Sequence, residues 1–82
     1  MGQDEKIREA QDILDWATIH LNVSIKCRVT DYKHGNYQVQ VLKGDRLVMP
    51  VQIPEEWVKE CNPMEKFIPD KMKTLLKNLE GY

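Results

Sequence analysis

The apolar positions of this chain change their spacing twice. Over residues 4–21 they recur every three or four residues. Ile7, Ala10, Leu14, Ala17 and Leu21 form one stripe, widened by Ile13, and this predicts an amphipathic helix. Asp4 suits the start of that helix, and Asn22, which tolerates a left-handed backbone, suits its end. From Val23 to Asp31 the period drops to two. Val23, Ile25, Cys27 and Val29 face one way and Ser24, Lys26, Arg28 and Thr30 the other, as in a half-buried strand. "DYKHGNY" then reads as a turn in which Gly35 and Asn36 can take positive φ. Tyr37, Val39 and Val41 alternate with Gln38 and Gln40 in a second strand. "KGDR" suits a two-residue hairpin loop at Gly44-Asp45, and Leu47, Met49, Val51 and Ile53 form the inward set of a third strand.

Helical spacing then returns. "IPEEWVKEC" predicts a short helix with Pro54 at its first position, stopped by Asn62-Pro63. In the connector, Met64 and Phe67 are expected to plug the core. Ile68-Pro69 opens a last helix whose stripe is Met72, Leu75, Leu76 and Leu79, ending at Gly81. The order is α-β-β-β-α-α. It predicts an α+β fold, a three-stranded antiparallel meander with helices packed on one face, because only that arrangement buries both the sheet's apolar face and the helix stripes. Residues 1–82 are expected to form a single domain, with 1–3 a disordered N-terminus. Pro50 falls inside the third strand. A proline removes a ladder donor, so this strand is placed at the sheet edge, where Pro50 blunts stray pairing. The other edge strand, Val23 to Asp31, is then the better receptor for a strand from a partner.

Length narrows the function classes. A chain of 82 residues buries only roughly 60–65% of its unfolded surface, which leaves little room for a deep, walled cleft. The net charge of −1 is unevenly spread. Residues 1–22 carry two cations against five carboxylates, residues 23–53 five against two, and residues 54–82 five against six. The middle is the basic part, far short of a polybasic arm. Residues 3–12 are polar where a secretory leader is apolar, and "MGQDEK" has Lys6 where a myristoylation site takes Ser or Thr. With only Cys27 and Cys61, the reading is a soluble cytoplasmic protein with reduced thiols and no membrane association.

Candidate chemistry is sparse. Cys27, Cys61, His20 and His34 show no metal-ligand spacing, and Cys27 sits where a free cysteine acts as a small hydrophobe. Ser24, the only serine, lies in no nucleophile elbow, and Glu55-Glu56 suit the positive end of a helix. No catalytic residue, metal or cofactor is expected. The solvent-facing side of the sheet carries Lys26 and Arg28 beside Gln38 and Gln40, able to grip an acidic protein surface. Trp16 and Ile19 offer a separate apolar patch for a partner or a dimer mate.

The order helix, three-strand meander, helix resembles that of double-stranded-RNA-binding domains in topology. That resemblance implies a basic cluster at the start of the last helix, set against phosphates. Here Lys71, Lys73 and Lys77 follow Asp70, and the "PEEWVKEC" helix is additional. The expected function is therefore a small non-enzymatic binding or adaptor domain acting through a protein partner or a second copy. The alternative is weak nucleic-acid binding through Lys26, Arg28, Lys33, Lys43, Arg46 and Lys71.

Overall fold

The sheet's inner face decides the architecture. In this computed structural model, which describes residues 2–82, six elements follow one another. They are α1 (Gly2–Leu21), β1 (Lys26–Lys33), β2 (Asn36–Lys43), β3 (Arg46–Pro54), α2 (Glu55–Glu60) and α3 (Asp70–Glu80). The strands pair antiparallel in the order β1-β2-β3, giving the expected α+β meander. Cys27, Val29, Tyr37, Val39, Val41 and Ile53 are buried on one face. Ala10, Leu14 and Ala17 of α1, Val58 of α2, and Met72, Leu76 and Leu79 of α3 close over them. No helix among the described residues is long and apolar enough to cross a membrane.

Local chemistry sets the ends of the elements. Asn22 takes the left-handed conformation (φ 57°). Its N–H donates to the Ile19 carbonyl and that of Val23 to Thr18, which satisfies the last carbonyls of α1. The first hairpin turns at His34 and Gly35, both with positive φ, and Lys33 pairs with Asn36. The expected turn at Gly35-Asn36 is thus one residue late, because a two-residue loop of this hand needs positive φ at both central positions. The second hairpin turns at Gly44 (φ 66°) and Asp45 as expected. Pro54 caps α2 one position before the first helical position its sequence suggests, and Pro69 caps α3. At the N-terminus, Met1 lies outside the described residues, but helix α1 already begins at Gly2. Gln3 lies within α1, and its side-chain amide donates to Asp31 (2.8 Å) and to the Tyr32 carbonyl (3.0 Å).

Two bulges break the period of two. In β1, Val29 pairs with Val39 but Asp31 pairs with Gln38, so Thr30 is extra. In β3, Met49 pairs with Val41 but Leu47 pairs with Leu42, so Val48 is extra. A bulge re-aims every side chain beyond it. Leu47, expected inside, therefore stands 52% exposed on the open face beside Leu42, while Val48 joins the core side. The connector also differs from expectation. Met64 and Phe67 are exposed at 94% and 49%, and Ile68 and Pro69 take the buried positions. The physical reason is a closed miniature hairpin. Asn62 and Phe67 exchange both backbone bonds (3.0 and 2.9 Å), which turns the tip between them outward.

Both sheet edges are closed to strand pairing. On β1, Gln11 of α1 acts as a side-chain substitute for a neighbouring strand. Its amide donates to the Cys27 carbonyl (2.8 Å) and its oxygen accepts from the Val29 N–H (2.8 Å). The expectation that β1 is a receptor strand is thereby overturned, since α1 occupies its edge. On β3 the parity of the ladder settles Pro50. The Gln38 carbonyl accepts from Thr30 Oγ1, so Gln38 and Gln40 direct their backbone groups towards β1. Backbone groups alternate sides along a strand, so the partners of these residues, Gln52 and Pro50, point theirs away from β2. Pro54 follows the same parity. Of these three outward-facing positions only Gln52 keeps an N–H, so the prolines blunt the edge without losing a ladder bond.

The role of Gln11 is directly measurable. Gln11→Ala leaves a part-buried N–H and carbonyl without partners and is expected to lower stability by roughly 1–3 kcal/mol in urea unfolding. The exposed Arg8→Ala should stay within about 0.5 kcal/mol of the parent. Equal effects from the two substitutions would remove Gln11 from the account of the edge.

Candidate functional site

The expected open-face residues do come together. Arg28 lies beside Gln40, and Gln40 beside Pro50. Lys26 lies beside Leu42, Leu42 beside Leu47, and Gln38 beside Gln52. Lys26 and Arg28 are exposed, and Gln38 and Gln40 half-buried. This is a flat surface to which the β3 bulge adds an apolar pair that simple alternation does not foresee.

The other expected groups do not converge. Trp16 is half-buried against the core and stacks on His20, with ring centroids 5.2 Å apart, leaving Ile19 alone at 78% exposure. Of the expected Trp16–Ile19 pair, Ile19 is thus the more exposed member. The six cations of the nucleic-acid alternative are scattered. Lys33 pairs with Asp31 at 3.9 Å. Lys43 donates to the Glu80 carbonyl (3.0 Å), and Arg46 reaches the Tyr82 carbonyl (3.5 Å). Lys33 and Lys43 sit at opposite ends of the sheet, roughly 24 Å apart at about 3.4 Å per residue. Lys71, on α3, shares a cleft with Glu56, Glu60 and Asp70.

Side chains from three elements meet at Glu55. Its carboxylate accepts from the Lys6 ammonium and from the Tyr32 hydroxyl (2.8 Å), and lies 3.6 Å from Lys59. Lys6 also stands 5.0 Å from the centre of the Tyr32 ring, and Tyr32 packs against Tyr37. The adjoining cleft, about 390 Å³, is lined by Glu9, Asp12, Ile13 and Val58 as well. Lys6, then Tyr32, hold the Glu55 carboxyl below its ordinary range. The hydrogen bond to Glu55 raises both the Lys6 ammonium and the Tyr32 hydroxyl. Burial raises Tyr37. These groups satisfy one another, so the cluster works as a clamp joining the start of α1 to β1 and α2. Burial pushes the Cys27 and Cys61 thiols each up to about 11. Cys61 Sγ lies 3.3 Å from the Trp57 carbonyl and 3.5 Å from Met72 Sδ.

A second surface lies between α2 and α3. Trp57, Asp70 and Lys71 form the shared wall of two adjoining clefts of about 450 Å³ each. One half is completed by Glu56, Glu60, Phe67 and Pro69. The other is completed by Thr74, Leu75 and Asn78. Beside it stands the 61–69 loop. Asn62 Oδ1 accepts from the Met64 N–H (3.1 Å) and the Glu65 N–H (3.3 Å), and Lys66 closes the turn at φ 56°. An Asx turn thus holds Met64 in water. The sequence signal was the Asn-Pro-Met-Glu-Lys-Phe run itself, whose turn chemistry outweighs its apolar content.

The clamp carries a pH signature. Because Glu55 is lowered, its contribution is present above the ordinary carboxylate value of 4.5 and is lost as pH falls through the lowered one. Because Lys6 and Tyr32 are raised, their contributions hold through neutrality and are lost as pH climbs through their raised values. Glu55→Gln is expected to lower the urea midpoint at neutral pH and to flatten the acid limb of stability against pH. Superimposable profiles for parent and variant would contradict the clamp.

Comparison with protein families, curated proteins and solved structures finds no match to this chain, so the function is argued from its own geometry.

Proposed function

We propose that the chain is a small non-enzymatic protein-binding domain whose docking face is built from α2, the 61–69 loop and α3. The observation that carries this reading is the fixed, water-facing apolar display of that loop. Met64 is 94% exposed, yet it is held by an Asx turn and a pair of backbone bonds. Ordering an apolar tip in water has no folding benefit. A partner that covers it gains burial without having to order it first. Trp57 and Phe67 beside it belong to the residue types that anchor protein interfaces. The raised thiols support a role without covalent catalysis, since the thiolate is the nucleophile. Two free buried cysteines suit the reducing cytoplasm.

A second contact surface is favoured by the β3 bulge. Leu42 and Leu47 form an apolar pair on the open face, flanked by Lys26 and Arg28 and by Gln38 and Gln40. An apolar centre with a cationic and amide rim is the anatomy of a modest protein contact. Both sheet edges are closed, so contact there runs through side chains and not through strand addition.

Affinity capture from the native extract separates the surfaces. Met64→Asp with Phe67→Asp is expected to abolish partner recovery while the thermal midpoint stays within a few degrees, because both side chains are exposed. Lys26→Glu with Arg28→Glu should retain at least part of it. The reverse pattern would move the function to the sheet, and salt-sensitive recovery of nucleic acid alone would replace this reading altogether.

A further inference from the structure

The groove between α2 and α3 is divided chemically along its length. One half offers Leu75 and the Trp57 ring, with Thr74 and Asn78 at its margin. The other half is framed by Glu56 and Glu60, one helical turn apart on α2, and by Asp70 across from them. In the cleft these three carboxylates outnumber the Lys71 ammonium, and Asp70 also pairs with Lys73 at 4.0 Å along α3. Asp70 is fully exposed and Glu56 and Glu60 are exposed, so their charges reach whatever enters.

We infer that this groove binds a short peptide segment carrying a lysine or arginine next to a large apolar side chain. The inference rests on the docking reading above and names the partner's chemistry. The apolar side chain occupies the Trp57–Leu75 half, where burial supplies affinity. The cation lies between Glu56, Glu60 and Asp70, where charge complementarity sets specificity and register. Each half is about 450 Å³, room for one or two large side chains and not for a folded domain. A cationic peptide is favoured over a second copy of this chain. A symmetric dimer through this groove either sets Glu56, Glu60 and Asp70 near their own copies, where like charges oppose association, or lays them on the second copy's Leu75 half, where no cation is added to meet them. The carboxylates of Glu56 and Glu60 at one end likewise disfavour a purely apolar ligand, which would leave them facing an uncharged surface.

The test is selection of random dodecapeptides displayed on phage against the intact chain. Binding of the enriched peptides is then measured on two variants at exposed positions, where folding is not at stake. Glu56→Lys with Glu60→Lys reverses the acidic frame, and Thr74→Arg fills the apolar half. Enriched peptides should share Lys or Arg beside Leu, Met or Phe, and both variants should weaken them by about tenfold or more. Peptides blocked by Thr74→Arg but acidic or neutral, and indifferent to the Glu56 and Glu60 reversals, would overturn the cationic partner while leaving the docking face in place. No enrichment, or peptides indifferent to both variants, would overturn the inference and remove the groove from the docking face. A concentration-dependent dimer broken by Thr74→Arg would replace the peptide with a second copy.

Discussion

One constraint organises this molecule: a three-stranded sheet with a single apolar face must be covered by helices drawn from 82 residues. The long stripe of α1 and the shorter one of α3 cover it, through Leu14 and Ala17 on one side and Met72, Leu76 and Leu79 on the other. Among the described residues no second layer covers the opposite face of the sheet. The cover is also locked at its rim. Glu55 gathers Lys6, Tyr32 and Lys59, so the start of α1, the end of β1 and the start of α2 are held in one place. The short α2 gives Val58 to the core, and the loop after it turns Met64 and Phe67 outward.

The closed edges shape what kind of binding this fold supports. An exposed edge is a template for strand pairing, and both ends of this sheet remove it by different chemistry. At β1 an amide side chain substitutes for a strand, and at β3 prolines occupy outward backbone positions. On the proposed reading, contact with a partner runs through side chains, on the amide and cation face or in the groove beside Trp57. These surfaces carry opposite charge, Lys26 and Arg28 on the first and Glu56, Glu60 and Asp70 on the second. On the proposed reading, this difference keeps two contacts distinct.

The order of elements was legible in the sequence because period and punctuation agreed. The stripe of α1, the alternation of Cys27, Val29, Val39 and Val41, and the prolines before α2 and α3 each named their element. Leu47 was not legible. A one-residue bulge leaves alternation intact on paper while turning the side chain to the other face. Met64 and Phe67 were misplaced for a related reason: apolar type suggested the core, whereas Asn62 and its turn fixed the direction. The Lys6–Glu55 pair spans 49 residues and has no local signal. Gln11 looked like any helix amide, since its partners are backbone atoms of another element. The open-face residues were placed together correctly, as period two requires, but the groove depended on how α2 and α3 meet, which no local pattern encodes.

The proposed docking face is a pre-formed tip, and backbone relaxation measured by nuclear magnetic resonance on the free chain tests this most directly. The amides of Met64, Glu65 and Lys66 are expected to show order parameters near those of the helices, about 0.85, because two backbone bonds and the Asn62 side chain hold them. Values below about 0.6 at these three positions, with the helices rigid, would contradict a pre-formed apolar display and with it the proposed docking face.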